Sequence, residues 1–153
     1  MPTTLPFGTQ LVGQTENALD ALLDRELAGT ELSSPQRWVT LTVVVMTGGA
    51  IDRDQLVSRV AGALKLSQDD AAAHVDALVE SMLLRATEGA RSEIQLTDDG
   101  RELHTRIRAA VGDITNRLWG DIPEADLAVA GRVLSTVLSR ANLELSPAGE
   151  RGT

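Results

Sequence analysis

Apolar positions recur along this chain at helical intervals almost from end to end, and capping residues, glycines and prolines interrupt them at regular places. Leu11, Val12, Ala18, Leu19, Leu22, Leu23 and Leu27 trace one stripe and predict a first amphipathic helix over about residues 9 to 28, which Gly29 ends. Ser34 followed by Pro35 is a cap with a first-turn proline, so a second helix should open there and run to Gly48 and Gly49. Its interior, WVTLTVVV, is β-branched and partly alternating, and propensity alone would favour a strand. Ile51, Asp52, Gln55 and Leu56 then fit a capping box with a hydrophobic staple. They predict a short helix through about Leu64 that buries Leu56, Val57 and Val60. Ser67 and Asp70 repeat the capping pattern at the start of SQDDAAAHVDALV, where Ala71, Val75, Leu78, Val79 and Met82 form the core-facing stripe. Two capped helices separated by two or three residues make a helix-turn-helix.

The period changes after that helix. Leu84 and Ala86, then Ile94 and Leu96, alternate on either side of EGARS, and Gly89 marks a turn, so a short β-hairpin is expected. In this place a hairpin is a wing. Thr97 caps a long helix whose apolar face runs through Leu103, Ile107, Val111, Ile114 and Leu118. After Gly120, Pro123 stands near the start of a last helix with Leu127, Val133, Leu134, Val137, Leu138 and Ala141 on one side. The closing SPAGERGT is expected to be a mobile tail, residues 146–153. The predicted class is mainly α with a small β-hairpin, as a single domain over 1–153. The winged core takes about 34–97, and long helices at about 9–28 and 98–145 serve association.

Composition narrows the chemistry. A chain of 153 residues with 42% hydrophobic content can bury one core, and with one Phe, two Trp and no Tyr that core is aliphatic. The absence of Cys excludes a disulfide, a thiolate metal site and a thiol nucleophile. With two His and no Gly-rich phosphate loop there is no nucleophile paired with a base, so neither an enzyme nor a cofactor is expected. The aspartate pairs at 69/70 and 98/99 stand where helices begin, which capping explains. The N-terminus lacks the pattern of a secretory signal and WVTLTVVVM is too short to span a bilayer, so the expected location is the cytoplasm, with no membrane partner. A formal charge of −8 opposes nonspecific attachment to nucleic acid at long range. Within a Debye length of about 8 to 10 Å only the local charge counts.

The order of LSSPQRWVTL, LKLSQDDAAAHVDALVESMLLR, IQLTDDGREL and IPEADL resembles the multiple-antibiotic-resistance regulator (MarR) family of bacterial winged-helix repressors, over roughly residues 8 to 145. No single piece is specific; their order and spacing are. The resemblance assigns WVTLTVVV to a helix. It implies a homodimer clasped through the first and last two helices, binding a pseudo-palindromic operator in double-stranded DNA. It also implies release by a small phenolic or aromatic effector. A dimer also fits the physics, because the terminal helices carry more apolar stripe than a thin monomer could cover.

The resemblance places Arg37, Ser67, Gln68, Asp70, Ala72, Ala73, His74, Arg85 and Arg91 at or near DNA, Arg91 in the wing turn where the family has a minor-groove arginine. It points to Trp38, His104 and Trp119 as side chains of an effector cleft. Each has a plainer reading. Asp69 and Asp70 stabilise a helix N-terminus through the macrodipole, His74 suits a core edge, and a Trp at helical spacing is usually core. Arg53 and Arg59 could touch the DNA backbone or simply be solvated. The helix placed to meet phosphates is acidic, with Asp69, Asp70, Asp76 and Glu80 on its outer side. That leaves an alternative: a winged-helix protein with weakened DNA binding that works as a protein-interaction or ligand-binding module.

Overall fold

The computed structural model describes residues 4–87 and 92–146. The elements in chain order are α1 (Thr9–Leu27), α2 (Pro35–Met46), β1 (Ala50–Asp52), α3 (Arg53–Leu64), α4 (Gln68–Glu80), β2 (Leu84–Ala86), β3 (Glu93–Leu96), α5 (Asp98–Trp119) and α6 (Glu124–Leu145). They form two compact units that divide within α5, one up to Gly112 and one from Asp113 onward. The wing turn expected at Gly89 lies outside the described residues.

Four side-chain caps set the first unit's geometry. The Ser34 hydroxyl accepts from the Arg37 N–H, Asp52 Oδ1 accepts from the Asp54 and Gln55 N–H groups, and the Ser67 hydroxyl accepts from the Asp70 N–H. Each satisfies donors that the first turn leaves without a partner, a contribution of about 1 kcal/mol per cap. The fourth is Thr97, whose hydroxyl accepts from the Gly100 N–H at 3.0 Å and donates to the Met82 carbonyl at 2.7 Å. This one residue starts α5 and ties it to the end of α4. A Cβ on Gly100 would overlap the Leu83 carbonyl oxygen, so the close approach requires glycine.

The β-branched segment is helical, as α2. Thr40, Leu41 and Val44 fall on one helical face and are buried, and the Thr40 hydroxyl returns to the Gln36 carbonyl at 2.8 Å. Burial of that face against α3 and α4 outweighs a per-residue preference for strand of a few tenths of a kcal/mol. Gly48 and Gly49, both with positive φ, then turn the chain into β1.

The hairpin strands β2 and β3 pair antiparallel with Arg85 opposite Gln95, and β1 adds a third strand on the far side of β3, with Ile51 opposite Ile94. Three residues are too few to show alternation, which is why β1 is invisible in the pattern. Ile51 acts as a sheet residue as well as preceding the Asp52 cap. The core of this unit is aliphatic: Leu27, Leu32, Leu41, Leu56, Val60, Val75, Leu78, Leu84 and Ile94 have at most 1% of their surface exposed. Met82 departs from the predicted stripe. It follows the C-cap of α4 with a left-handed backbone (φ 63°) and is 71% exposed.

The second unit contains the end of α5 and all of α6. No residue of α6 is buried; Val129, Leu134, Val137, Leu138 and Leu143 all stand open. No helix among the described residues is long and apolar enough to cross a membrane.

Candidate nucleic-acid interface

The helix-turn-helix is α3, the link Lys65–Leu66–Ser67, and α4. Lys65 takes a left-handed conformation at the C-cap of α3 (φ 56°), which reverses the chain in three residues. Helix α4 buries Ala71, Val75 and Leu78 and leaves Gln68, Asp69, Asp70, Ala73, Asp76 and Glu80 outward. Its exposed face therefore carries four carboxylates and no cation.

Not every predicted contact residue stands free. The Ser67 hydroxyl is engaged as the α4 cap, and Ala72 is half-buried against the core, which leaves it little surface to offer a base edge. Gln68, Asp70 and Ala73 are exposed near the N-terminal end of α4. His74 is half-buried, and its pKa is lowered mainly by burial and further by the Arg37 charge, against an opposing effect of Asp70. Arg37 is thus close enough to α4 to be felt electrostatically. Its Nη1 donates to the Ser33 hydroxyl at 2.9 Å, while its Nε is buried with no hydrogen-bond partner among the described residues.

Two cationic side chains are oriented by neighbours that local sequence does not reveal. Arg53, at the start of α3, forms an ion pair with Asp76 of α4 at 2.9 Å, across 23 residues of chain. It neutralises part of the acidic face and joins the two helices of the motif. Arg85, exposed on β2, donates to Gln95 Oε1 at 2.9 Å, and Gln95 Nε2 donates to Glu93 at 2.9 Å. Cross-strand register places Arg85 and Gln95 opposite one another. Arg59 is exposed. Arg91 lies outside the described residues.

A second cluster joins α2 to α5. The rings of Trp38 and His104 stack with centroids 4.5 Å apart and planes within 10°. His104 Nε2 lies 3.1 Å from the Thr42 hydroxyl. His104 is 5% exposed, although a lone histidine read from sequence is more often a surface residue. Its pKa is lowered by burial first and by the Arg108 charge second, so the ring is neutral at pH 7. Thr42 has no signal of its own in the sequence; only the packing of α5 on α2 reveals it. Trp119 belongs to the second unit and is 40% exposed. Among the described residues, no group of three or more His, Asp or Glu side chains could hold a metal ion.

No protein-family model and no curated protein matches the sequence. Solved structures do match its fold. The transcriptional regulator PA3341 superposes with a TM-score of 0.71 at 28% identity, covering 90% of this chain and 98% of that one. A MarR family transcriptional regulator from Silicibacter pomeroyi superposes with a TM-score of 0.74 at 20% identity, over 88% and 89% of the two chains. The organohalide-sensing regulator RdhR-CbdbA1625 with 2,4-dichlorophenol bound gives 0.73 at 16% identity, over 90% and 80%. The winged-helix fold of MarR-family transcriptional regulators is thus the fold of this chain.

Proposed function

We propose that this chain is a DNA-binding transcriptional regulator of the MarR type, working as a homodimer on a pseudo-palindromic operator and tuned by a small aromatic effector. One observation carries the reading: a capped α3–turn–α4 with an adjoining wing sheet, likened over nine-tenths of the chain to transcriptional regulators. In such a motif α4 lies in the major groove, and residues near its N-terminus meet base edges. Gln68 can pair with adenine and Asp70 can accept from a cytosine amino group; Arg37, Arg85 and Arg91 supply phosphate or minor-groove contacts.

Dimerisation is supported by the uncovered apolar side of α6, since a face of that size in water calls for a partner helix. The effector is supported by the 2,4-dichlorophenol bound in one structural neighbour of the same fold. The reaction class is binding, without catalysis.

The acidic outer face of α4 favours a second reading, a winged-helix module that docks a basic protein partner. Titration of the purified protein against duplex DNA from its own upstream region, over a salt series, separates the two. A regulator binds its operator at least about 10³-fold above random duplex, with a log-log salt slope set by several phosphate contacts. No binding at low salt overturns the DNA reading and leaves the protein partner. Arg91→Ala should weaken operator binding with the dimer intact; unchanged affinity removes the wing from the mechanism.

A further inference from the structure

At the foot of the wing, where the end of α4, strands β2 and β3 and the first turn of α5 meet, an open cleft of about 640 Å³ remains. Its volume is in the range that encloses a small organic molecule. Its lining combines apolar residues, chiefly Val79, Met82 and Leu96, with two acidic ones, Asp98 and Asp99, from the first turn of α5. Arg85 also borders the cleft, with its guanidinium engaged by Gln95. Two carboxylates against one guanidinium leave the lining net negative.

Met82 is the unusual member. It occupies a left-handed position after a helix C-cap, where glycine is free of strain, and it puts an unbranched thioether into the cleft while 71% exposed. The Thr97 hydroxyl holds its carbonyl at 2.7 Å, so the backbone is pinned while the side chain stays free. A flexible, polarisable side chain in that place adapts to apolar ligands of varied shape.

We infer that this cleft is a binding site for an amphipathic organic cation, its hydrocarbon or aryl body lying against Val79, Met82 and Leu96 and its ammonium group meeting Asp98 and Asp99. The mixed apolar and acidic lining selects that class: a neutral hydrocarbon leaves the carboxylates unused, and an organic anion is repelled by them. The site is separate from the Trp38–His104 stack and does not depend on whether the chain binds DNA. An occupant would bridge the end of α4 to the wing strands and so couple the recognition helix to the wing.

The test uses the full chain labelled with ¹³C-methyl methionine and three probes of matched carbon skeleton: 4-phenylbutylamine, 4-phenylbutan-1-ol and 4-phenylbutanoate. The amine should shift the Met82 methyl resonance saturably and leave Met46 unmoved. The alcohol should bind about fivefold or more weaker, and the carboxylate should not bind. Asp98→Asn with Asp99→Asn should erase the preference of amine over alcohol. Met82→Gly, which suits the left-handed backbone, should raise the melting temperature yet weaken the amine as read by isothermal titration calorimetry. No saturable shift with the amine, corresponding to a Kd above about 10 mM, overturns the inference. Equal affinity for amine and alcohol in the unaltered protein overturns the cationic class without recourse to any variant.

Discussion

Helices α4 and α6 have apolar stripes of similar quality, and they meet opposite fates. In α4, Ala71, Val75 and Leu78 are wholly buried, the N-terminus is capped by Ser67, and the first turn carries Asp69 and Asp70. In α6, Leu134, Val137 and Leu138 are 46%, 45% and 60% exposed. The first stripe finds its partners within 50 residues of chain, in α2, α3 and β2. The second buries nothing. An amphipathic pattern is therefore a statement of demand. It says that a face must be covered, and it does not say by which molecule.

The two regions can be broken separately. The largest effect is expected at Gly100, where a methyl group meets the Leu83 carbonyl: Gly100→Ala should cost about 3 kcal/mol in urea unfolding of the winged unit. A loss below about 0.5 kcal/mol would show that the α4–α5 junction gives way easily.

On the α6 side, Leu134→Glu with Leu138→Glu should leave the winged unit's circular dichroism intact. If a partner helix covers that face, the double change should weaken self-association at least about 100-fold by sedimentation, equivalent to about 2.7 kcal/mol. A dimer that persists unchanged would place the association face elsewhere.

A smaller effect concerns pH. The buried His104 has a folded-state pKa below its unfolded value of about 6.5, so below that pH the unfolded chain takes up a proton first. Its contribution to stability is therefore complete above about pH 6.5. It falls as pH drops through the folded-state value, and His74 acts in the same direction. His104→Gln should flatten part of the decline in melting temperature between pH 7 and 5; an unchanged slope would assign it to other groups.

The smallest effect belongs to the Arg53–Asp76 pair. Both partners keep solvent contact, so a double-mutant cycle should yield only about 0.5 kcal/mol. Its larger consequence would be electrostatic: freeing Asp76 by Arg53→Ala adds to the negative potential of the α4 face, and under the proposed function it should lower DNA affinity in the same salt-series titration.

Much of this molecule was legible along the chain. Ser34, Asp52, Ser67 and Thr97 are caps in the sequence and caps in the structure, because a cap is decided within three residues. The Thr97 to Gly100 spacing, part of the resemblance, acquires a reason once Leu83 is seen against Gly100. Other features were hidden. Strand β1 is too short to carry a period, Met82 follows a helical stripe yet turns outward, and His104 is buried by a tryptophan 66 positions earlier. Ala72 looks like an outer-face residue and is half covered by the core.

By itself the sequence determined where helices begin and end, which faces shun water, and that the second helix of the helix-turn-helix is negatively charged on its outer side. These follow from interactions between residues a few positions apart. Tertiary structure alone decided that Trp38 stacks on His104, that Arg53 meets Asp76, and that a cleft opens beside Met82. Each depends on which distant segments share a surface, and no local period encodes that.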